Sequence, residues 1–368
     1  MQTILNQFVY FGFFQSLLLL MIYLFSPGKR KHISGYMAFL ILTLFIGLFG
    51  KVLYSAGVWN RNFRLIAFSE LSALLFGPTV YLFTRAILQK KVYSHQDLIH
   101  YIPGFLYSVF IIVYFMIPSD LVIRGRSSTG ELKRVIYGCH ALGLVVNTTY
   151  WGLALKIFKT FQNKVRNELS YNLRTRFIIN FLLIIGICLC IWILLYSISL
   201  LGYEMLERDA RPYIWIVLTL VILFITYYGM VSPQVLRIVP ETLARKYAQS
   251  KLSVTDMEHL KIKLENLMHE KKPFLNSKLL KAELAEMLGV SNPELARLLN
   301  ENIGMNFFEY VNYYRIKEFV SLAKTERAKQ LTFFGIAQEA GFNSKTTFNK
   351  SFKKLMGTSP STYFDQNL

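Results

Sequence analysis

The chain has 368 residues, 53% of them hydrophobic and only 17% charged, with a mean hydropathy of +0.36. Soluble domains carry about 25% charged residues, so a single soluble domain is excluded, and so are disordered and collagen-like chains. The formal charge of +19 points to anionic partners: lipid head groups, nucleic acid, or both.

Two compositions are joined near Ser232. Residues 1–232 hold 21 Lys/Arg and 8 Asp/Glu between long apolar runs, whereas residues 233–368 hold 20 and 14 and read as a soluble helical domain. Cys139, Cys188 and Cys190 all lie in apolar runs, which implies neither a disulfide framework nor a thiolate metal site.

A membrane helix needs about 20 mostly apolar residues. Seven segments qualify: 4–25, 36–57, 65–88, 100–117, 135–158, 177–201 and 213–231. Pro78 is expected to kink the third, and Asn147, Thr148 and Thr149 interrupt the fifth. No Lys or Arg precedes Lys29, whereas Lys29, Arg30 and Lys31 follow the first segment. That order predicts a retained helix rather than a cleaved signal peptide. With the N-terminus outside, the inside loops carry twelve Lys/Arg and the outside loops eight, the bias expected of cytoplasmic loops. The 118–134 loop, with Arg124, Arg126, Lys133 and Arg134, runs against it. Seven crossings then make a multi-pass protein of the cell (inner) membrane with a cytoplasmic C-terminal half.

Ionisable residues within a bilayer point to function by default. Lys51, Glu70 and His140 share one depth in the outer leaflet, with Tyr196, Ser197 and Ser199 near it. They form either a candidate pocket for a small-molecule or lipid signal, or a Lys51–Glu70 ion pair beside a hydrogen-bonded His140.

Residues 233–272 read as a linker. Its 241–248 stretch continues the last membrane helix or forms a short amphipathic piece. Ser253 and Asp256 make a capping-box-like start to a helix over 254–271. There Met257, Leu260, Leu264 and Leu267 have 3-4-3 spacing. This seam serves either a homodimeric coiled coil or packing on the chain's own domain. Lys271-Lys272-Pro273 ends it.

Residues 273–368 contain an internal repeat. Leu284-Ala285 precedes Gly289-Val290-Ser291, and Ile336-Ala337 precedes Gly341-Phe342-Asn343, 52 positions on. The pattern resumes one residue out of step: Gly304 and Gly357 are 53 apart, as are Tyr310 and Tyr363. In a helix-turn-helix, a small residue lets two helices cross closely, and a glycine four residues later accepts the tight turn. Leu295, Leu298 and Leu299 in one copy, and Phe348 and Phe352 in the other, are the expected core.

These residues carry a resemblance. The stretches "LAEMLGVSNPELARLLNENIGMNFFEYVNYYRIKEF" and "IAQEAGFNSKTTFNKSFKKLMGTSPSTYF" make residues 247–366 similar to the DNA-binding domain of AraC/XylS-type transcription regulators. The membrane half resembles, in architecture, the seven-helix sensor regions sometimes fused to such domains. The resemblance implies two helix-turn-helix units joined by a long helix over 306–324. Each unit offers a recognition helix to successive major grooves of double-stranded DNA, roughly 34–36 Å apart.

By the same resemblance, Asn292, Pro293, Ala296 and Arg297 face the groove in the first unit, and Lys345, Thr346, Asn349 and Lys350 in the second. Arg297 suits guanine or phosphate, Asn349 adenine, and Thr346 either base type. Lys350, Lys353 and Lys354 bring positive charge near phosphates, and Ser291 and Ser344 at the helix starts can hydrogen-bond phosphate. Pro293 and Ala296 depart from a polar reading face, so the second unit is expected to carry more base specificity.

No P-loop, His-Glu-x-x-His or CxxC is present. His95, Asp97, His259 and His269 read as surface residues. An enzyme, a cofactor and a metal site are therefore not expected. The expected protein is all-α: a seven-helix membrane sensor over 1–232 followed by the soluble double helix-turn-helix domain. It would regulate promoters as a one-component system. A membrane receptor or transporter whose tail binds a protein is the alternative, and a membrane enzyme the third.

Overall fold

A computed structural model describes residues 2–25, 31–89, 94–171, 173, 175–203, 211–231, 254–325 and 330–367. The junction at Ser232, the 241–248 stretch, Ser253, Lys29, Arg30, Lys90, Lys91, Arg174 and Arg208 lie outside them. The described residues are helical apart from turns and one isolated β-bridge. The chain divides into two compact units: Met1–Lys159 with Arg174–Val239, and Thr160–Leu173 with Pro240–Leu368.

The first unit is built on α1 (Gln2–Phe25), α2 (Lys31–Ser55), α3 (Arg64–Glu70), α4 (Phe76–Gln89), α5 (Ile102–Ile111), α6 (Asp120–Ser128), most of α7 (Glu131–Glu168), α8 (Arg176–Leu200) and α9 (Arg211–Val231). Helix α2 is central and packs against α1, α3, α4 and α9. Its Leu40, Ile41, Leu44 and Leu48 are fully buried. Phe14, Leu18 and Phe25 of α1, Phe105 and Leu106 of α5, and Leu183 and Leu194 of α8 are instead exposed. Water-soluble monomers rarely leave contiguous apolar surface of this kind open.

Five helical stretches among the described residues, rather than seven, are long and apolar enough to cross a membrane: Asn6–Phe25, Gly35–Ser55, His95–Met116, Glu131–Glu168 and Arg176–Leu200. In the seventh expected segment the described apolar stretch is shorter, Ile216–Tyr228. The third is broken at 71–75 between α3 and α4. Pro78 explains the place, because its ring clashes with the carbonyl four residues earlier and it has no N–H to donate there. Carbonyls freed by such a break need partners inside a membrane. Asn147 Nδ2 donates to the Ala73 carbonyl at 3.0 Å, and Ser108 Oγ to that of Leu71 at 2.8 Å. Asn147 therefore does not interrupt α7, which runs unbroken through it. A Cβ on Gly77 would stand 2.8 Å from Asn147 Oδ1, so glycine is what admits this close approach.

The fourth expected helix is a succession of three forms: a 3₁₀ turn at His95–Tyr101, α5, and a π turn at Ile112–Met116. Asp97 is a correction: it is buried, caps the Ser94 turn, pairs with Arg85 at 2.5 Å and accepts from Tyr36 Oη at 3.2 Å. A buried carboxylate survives only when paired in this way. The 118–134 stretch is no open loop either. Ser119 precedes α6, Arg64 donates to the Met116 and Pro118 carbonyls and pairs with Asp120, and Arg126 lies 4.0 Å over the Tyr114 ring.

The second unit contains α10 (Val254–Glu270), α11 (Lys281–Leu288), α12 (Asn292–Arg297), α13 (Phe307–Ala323), α14 (Phe333–Glu339), α15 (Lys345–Met356) and α16 (Pro360–Asn367). Met257, Leu260, Leu264 and Leu267 of α10 are buried in one core with Leu284, Leu288, Leu295, Leu298, Leu299, Phe307 and Tyr310. The seam is thus packed inside its own domain, the second of the two uses that its spacing allows. A second core gathers Ile316, Phe319, Ile336, Ala337, Phe342, Phe348, Phe352 and Phe364. Helix α13 contributes to both and joins them.

Candidate nucleic-acid interface

Each half of the domain is a helix-turn-helix: α11 with α12, and α14 with α15. Gly289, Gly304, Gly341 and Gly357, the repeated glycines, all have positive φ (73°, 75°, 94° and 80°). The sequence period therefore records turns and helix ends that need the left-handed region. The one-residue slip lies in the turn. Ser291 and Ser344, 53 apart, are the two N-caps, and Asn343 is the extra residue of the second turn. Ser291 Oγ accepts from Glu294 N–H and Ser344 Oγ from Thr347 N–H, both at 3.4 Å. Each cap oxygen serves its own helix, which leaves the hydroxyl hydrogen outside that bond.

Helix α15 has two faces. Thr347, Phe348 and Phe352 are buried, while Lys345, Thr346, Asn349, Lys350 and Lys353 are exposed in one stripe at helical spacing. The helix carries four lysines and no acidic residue. Lys354 differs from its neighbours in being paired: its Nζ meets Glu309 Oε1 at 2.6 Å and ties α15 to the start of α13. Glu309 is partly buried, which pushes its carboxyl up. The Lys354 and Asn306 hydrogen bonds outweigh that and hold it below the ordinary range.

The first unit is chemically different. Asn292, Pro293, Ala296 and Arg297 are only half-exposed, and the Asn292 Oδ1 is buried with no hydrogen-bond partner. Arg297 Nε is paired with Glu301 at 2.8 Å. Glu294 Oε2 accepts from the Ser291 backbone N–H at 2.7 Å, a hydrogen bond that lowers its pKa. The helix also changes form after Arg297, into a π turn over Leu298–Ile303. One arginine and two glutamates against four lysines makes the first unit the electrostatically weaker partner.

The proposed signal residues lie in the first unit. Buried Tyr107 of α5 packs in one cluster with Ala67 of α3 and Cys139 of α7. Its neighbour His140 meets Trp192 edge-on, centroids 5.9 Å apart, and Lys51 lies 5.9 Å from the centre of the Tyr54 ring. Through Ala67 and Cys139 this cluster lies beside the helix turns that carry Glu70 and His140.

A buried polar cluster in the second unit escaped sequence reasoning. Arg315 of α13 is 1% exposed. Its Nε donates to the Phe274 carbonyl at 2.7 Å, Nη2 to the Asn276 carbonyl at 2.8 Å, and Nη1 to the Ser170 carbonyl at 2.8 Å. Burial pushes its guanidinium down to about 10, which leaves it charged at neutral pH. Glu168 and Lys281 form a second buried pair at 2.8 Å. No group of three or more His, Cys, Asp or Glu among the described residues is arranged to hold a metal. His259 is exposed, and His269 lies 5.7 Å from the Tyr314 ring.

Residues 284–366 match the family model of a helix-turn-helix domain, of the AraC type. This supports a DNA-binding transcription regulator, a family that is not an enzyme. No curated protein and no solved structure matched the chain.

Proposed function

We propose that the chain is a one-component transcription regulator held in the cell (inner) membrane. Seven crossings, counting the broken α3–α4 segment and α9, put the N-terminus outside and the helix-turn-helix domain in the cytoplasm. The outside arginines that weigh against this orientation include Arg64 and Arg126, and both are engaged with carbonyls, a carboxylate or an aromatic face. A small-molecule or lipid signal acts around Lys51, Glu70 and His140, beside the cluster that holds Tyr107. The domain then changes its occupancy of promoter DNA.

The observation that carries the DNA reading is the lysine-rich stripe of α15, exposed while its opposite face is locked into an aromatic core. In this reading Lys345, Thr346 and Asn349 meet base edges, and Lys350 and Lys353 meet phosphates. Ser291, Asn292, Arg297 and Ser344 complete the interface, and Lys354 acts through Glu309 by holding α15 in place. Capture of chromosomal DNA on tagged full-length protein tests this. A recurrent promoter sequence bound more weakly at higher salt is expected. Recovery of random DNA, or of none, overturns it.

A further inference from the structure

The Arg315 cluster brings together pieces of chain that the sequence separates widely. Residues 160–173 are the C-terminal end of α7 and the start of its connection to α8, yet they belong to the compact unit of the DNA-binding domain. Phe161, Val165, Glu168, Leu169 and Ser170 are all buried. Leu169 forms an antiparallel bridge with Leu280, and Ser170 N–H donates to the Leu279 carbonyl at 3.3 Å. Ser170 Oγ donates to that same carbonyl at 2.7 Å and accepts from Arg315 Nη2 at 3.1 Å. Glu168 then pairs with Lys281, the first residue of α11.

The other arm of Arg315 reaches the second helix-turn-helix. It holds the Phe274 and Asn276 carbonyls, and the guanidinium lies 5.8 Å from the Phe342 ring. A Cβ on Gly341 would stand 2.4 Å from the Phe274 oxygen, and Asn343 Nδ2 donates to the Ser277 carbonyl at 3.4 Å. The strap 274–277 therefore rests on the turn that launches α15. A run of direct contacts leads from Ser170 through Arg315 and the strap to the extra turn residue Asn343.

We propose that Glu168-Leu169-Ser170 is the input contact of the DNA-binding domain, and that it sets the placement of the second recognition helix through Arg315 and the 274–277 strap. The membrane region would then govern DNA reading through the α7–α8 connection and not only through the 233–253 stretch. Arg315 is a positioning residue here: it touches no DNA. The proposal rests on the DNA-binding reading above.

The test uses the full chain in lipid nanodiscs, with Cys139, Cys188 and Cys190 replaced by Ser and with Leu169→Cys and Leu280→Cys introduced. Bridge partners on paired extended segments are close enough for a disulfide. Mild oxidation should join them within one chain, while a control pair, Leu169→Cys with Leu355→Cys, should not join. DNA protection is then footprinted on the site that the unaltered chain occupies, with oxidised protein and with Glu168→Gln/Ser170→Gly. The oxidised protein should protect both halves of the site. The loosened variant should lose about tenfold in affinity at the half read by α15 and still protect the other half, which also shows that it is folded. Absence of the disulfide, loss of the site on oxidation, or unchanged protection by the loosened variant each overturns the proposal. If the unaltered chain protects no DNA, the DNA reading fails, and the disulfide still reports on the contact independently.

Discussion

Asn349 and Lys353 share the exposed face of α15 but have different chemistry, and the interface reading separates them. An amide can pair bidentately with adenine, whereas an ammonium is a point charge. Asn349→Ala should relax sequence preference at one position of the site, at a cost of about 1–3 kcal/mol there. Lys353→Ala should weaken binding evenly across sequences and reduce the salt slope by about 1. Titrations on matched and mismatched duplexes at several salt concentrations check both. If Asn349→Ala weakens every duplex equally, it is a phosphate contact and not a reader. The family resemblance, with their polarity, made these residues visible in the sequence. Lys354 looked the same as its neighbours there, and only the position of Glu309 distinguishes it.

At the level of elements, the two turn glycines of the second unit offer a contrast. Gly357 has open space around its missing Cβ, so Gly357→Ala meets only the left-handed backbone penalty of about 1–2 kcal/mol. Gly341 has the same penalty and also backs onto the Phe274 and Leu275 backbone. Gly341→Ala should therefore lower the thermal unfolding midpoint of the domain considerably more, as followed by circular dichroism. Equal effects would mean that the strap moves aside freely. The α13–α15 tie predicts an acid limb. Glu309 titrates below its unfolded value, so its contribution is complete above about pH 4.5 and fades as pH falls through the depressed folded value. Glu309→Gln should flatten stability against pH in that acid window and leave the neutral and alkaline range unchanged in shape. An unaltered acid limb would assign it to other carboxyls.

At the level of the whole molecule, the second unit is assembled from two stretches of chain. A fragment of 240–368 lacks Ser170 and Glu168, which leaves Arg315 short of acceptors and Lys281 without its buried carboxylate. An uncompensated buried charge costs about 3–5 kcal/mol. Such a fragment should melt at lower temperature than the same fragment carrying residues 160–173 fused through a flexible spacer. Identical melting curves would show that the cluster contributes nothing to folding. The fragment is the obvious soluble piece for DNA-binding work, so this prediction bears directly on how the interface is measured.

Periodicity, composition and the glycine repeat by themselves determined the all-helical character, the change of composition near Ser232, the two helix-turn-helix units and the residues of their cores. These features are local or periodic: a left-handed turn needs its glycine, and an amphipathic helix needs its apolar stripe, whatever lies around them. Tertiary structure alone decided that the 254–270 seam faces inward and that Asp97 is buried against Arg85. It alone decided that Arg315 gathers Ser170, Phe274 and Asn276 from 145, 41 and 39 positions away. Spacing along a chain reports what one helix or turn requires of its own residues. A buried charge is satisfied by whichever carbonyls and carboxylates the packing brings to it, and no short-range pattern records where those come from.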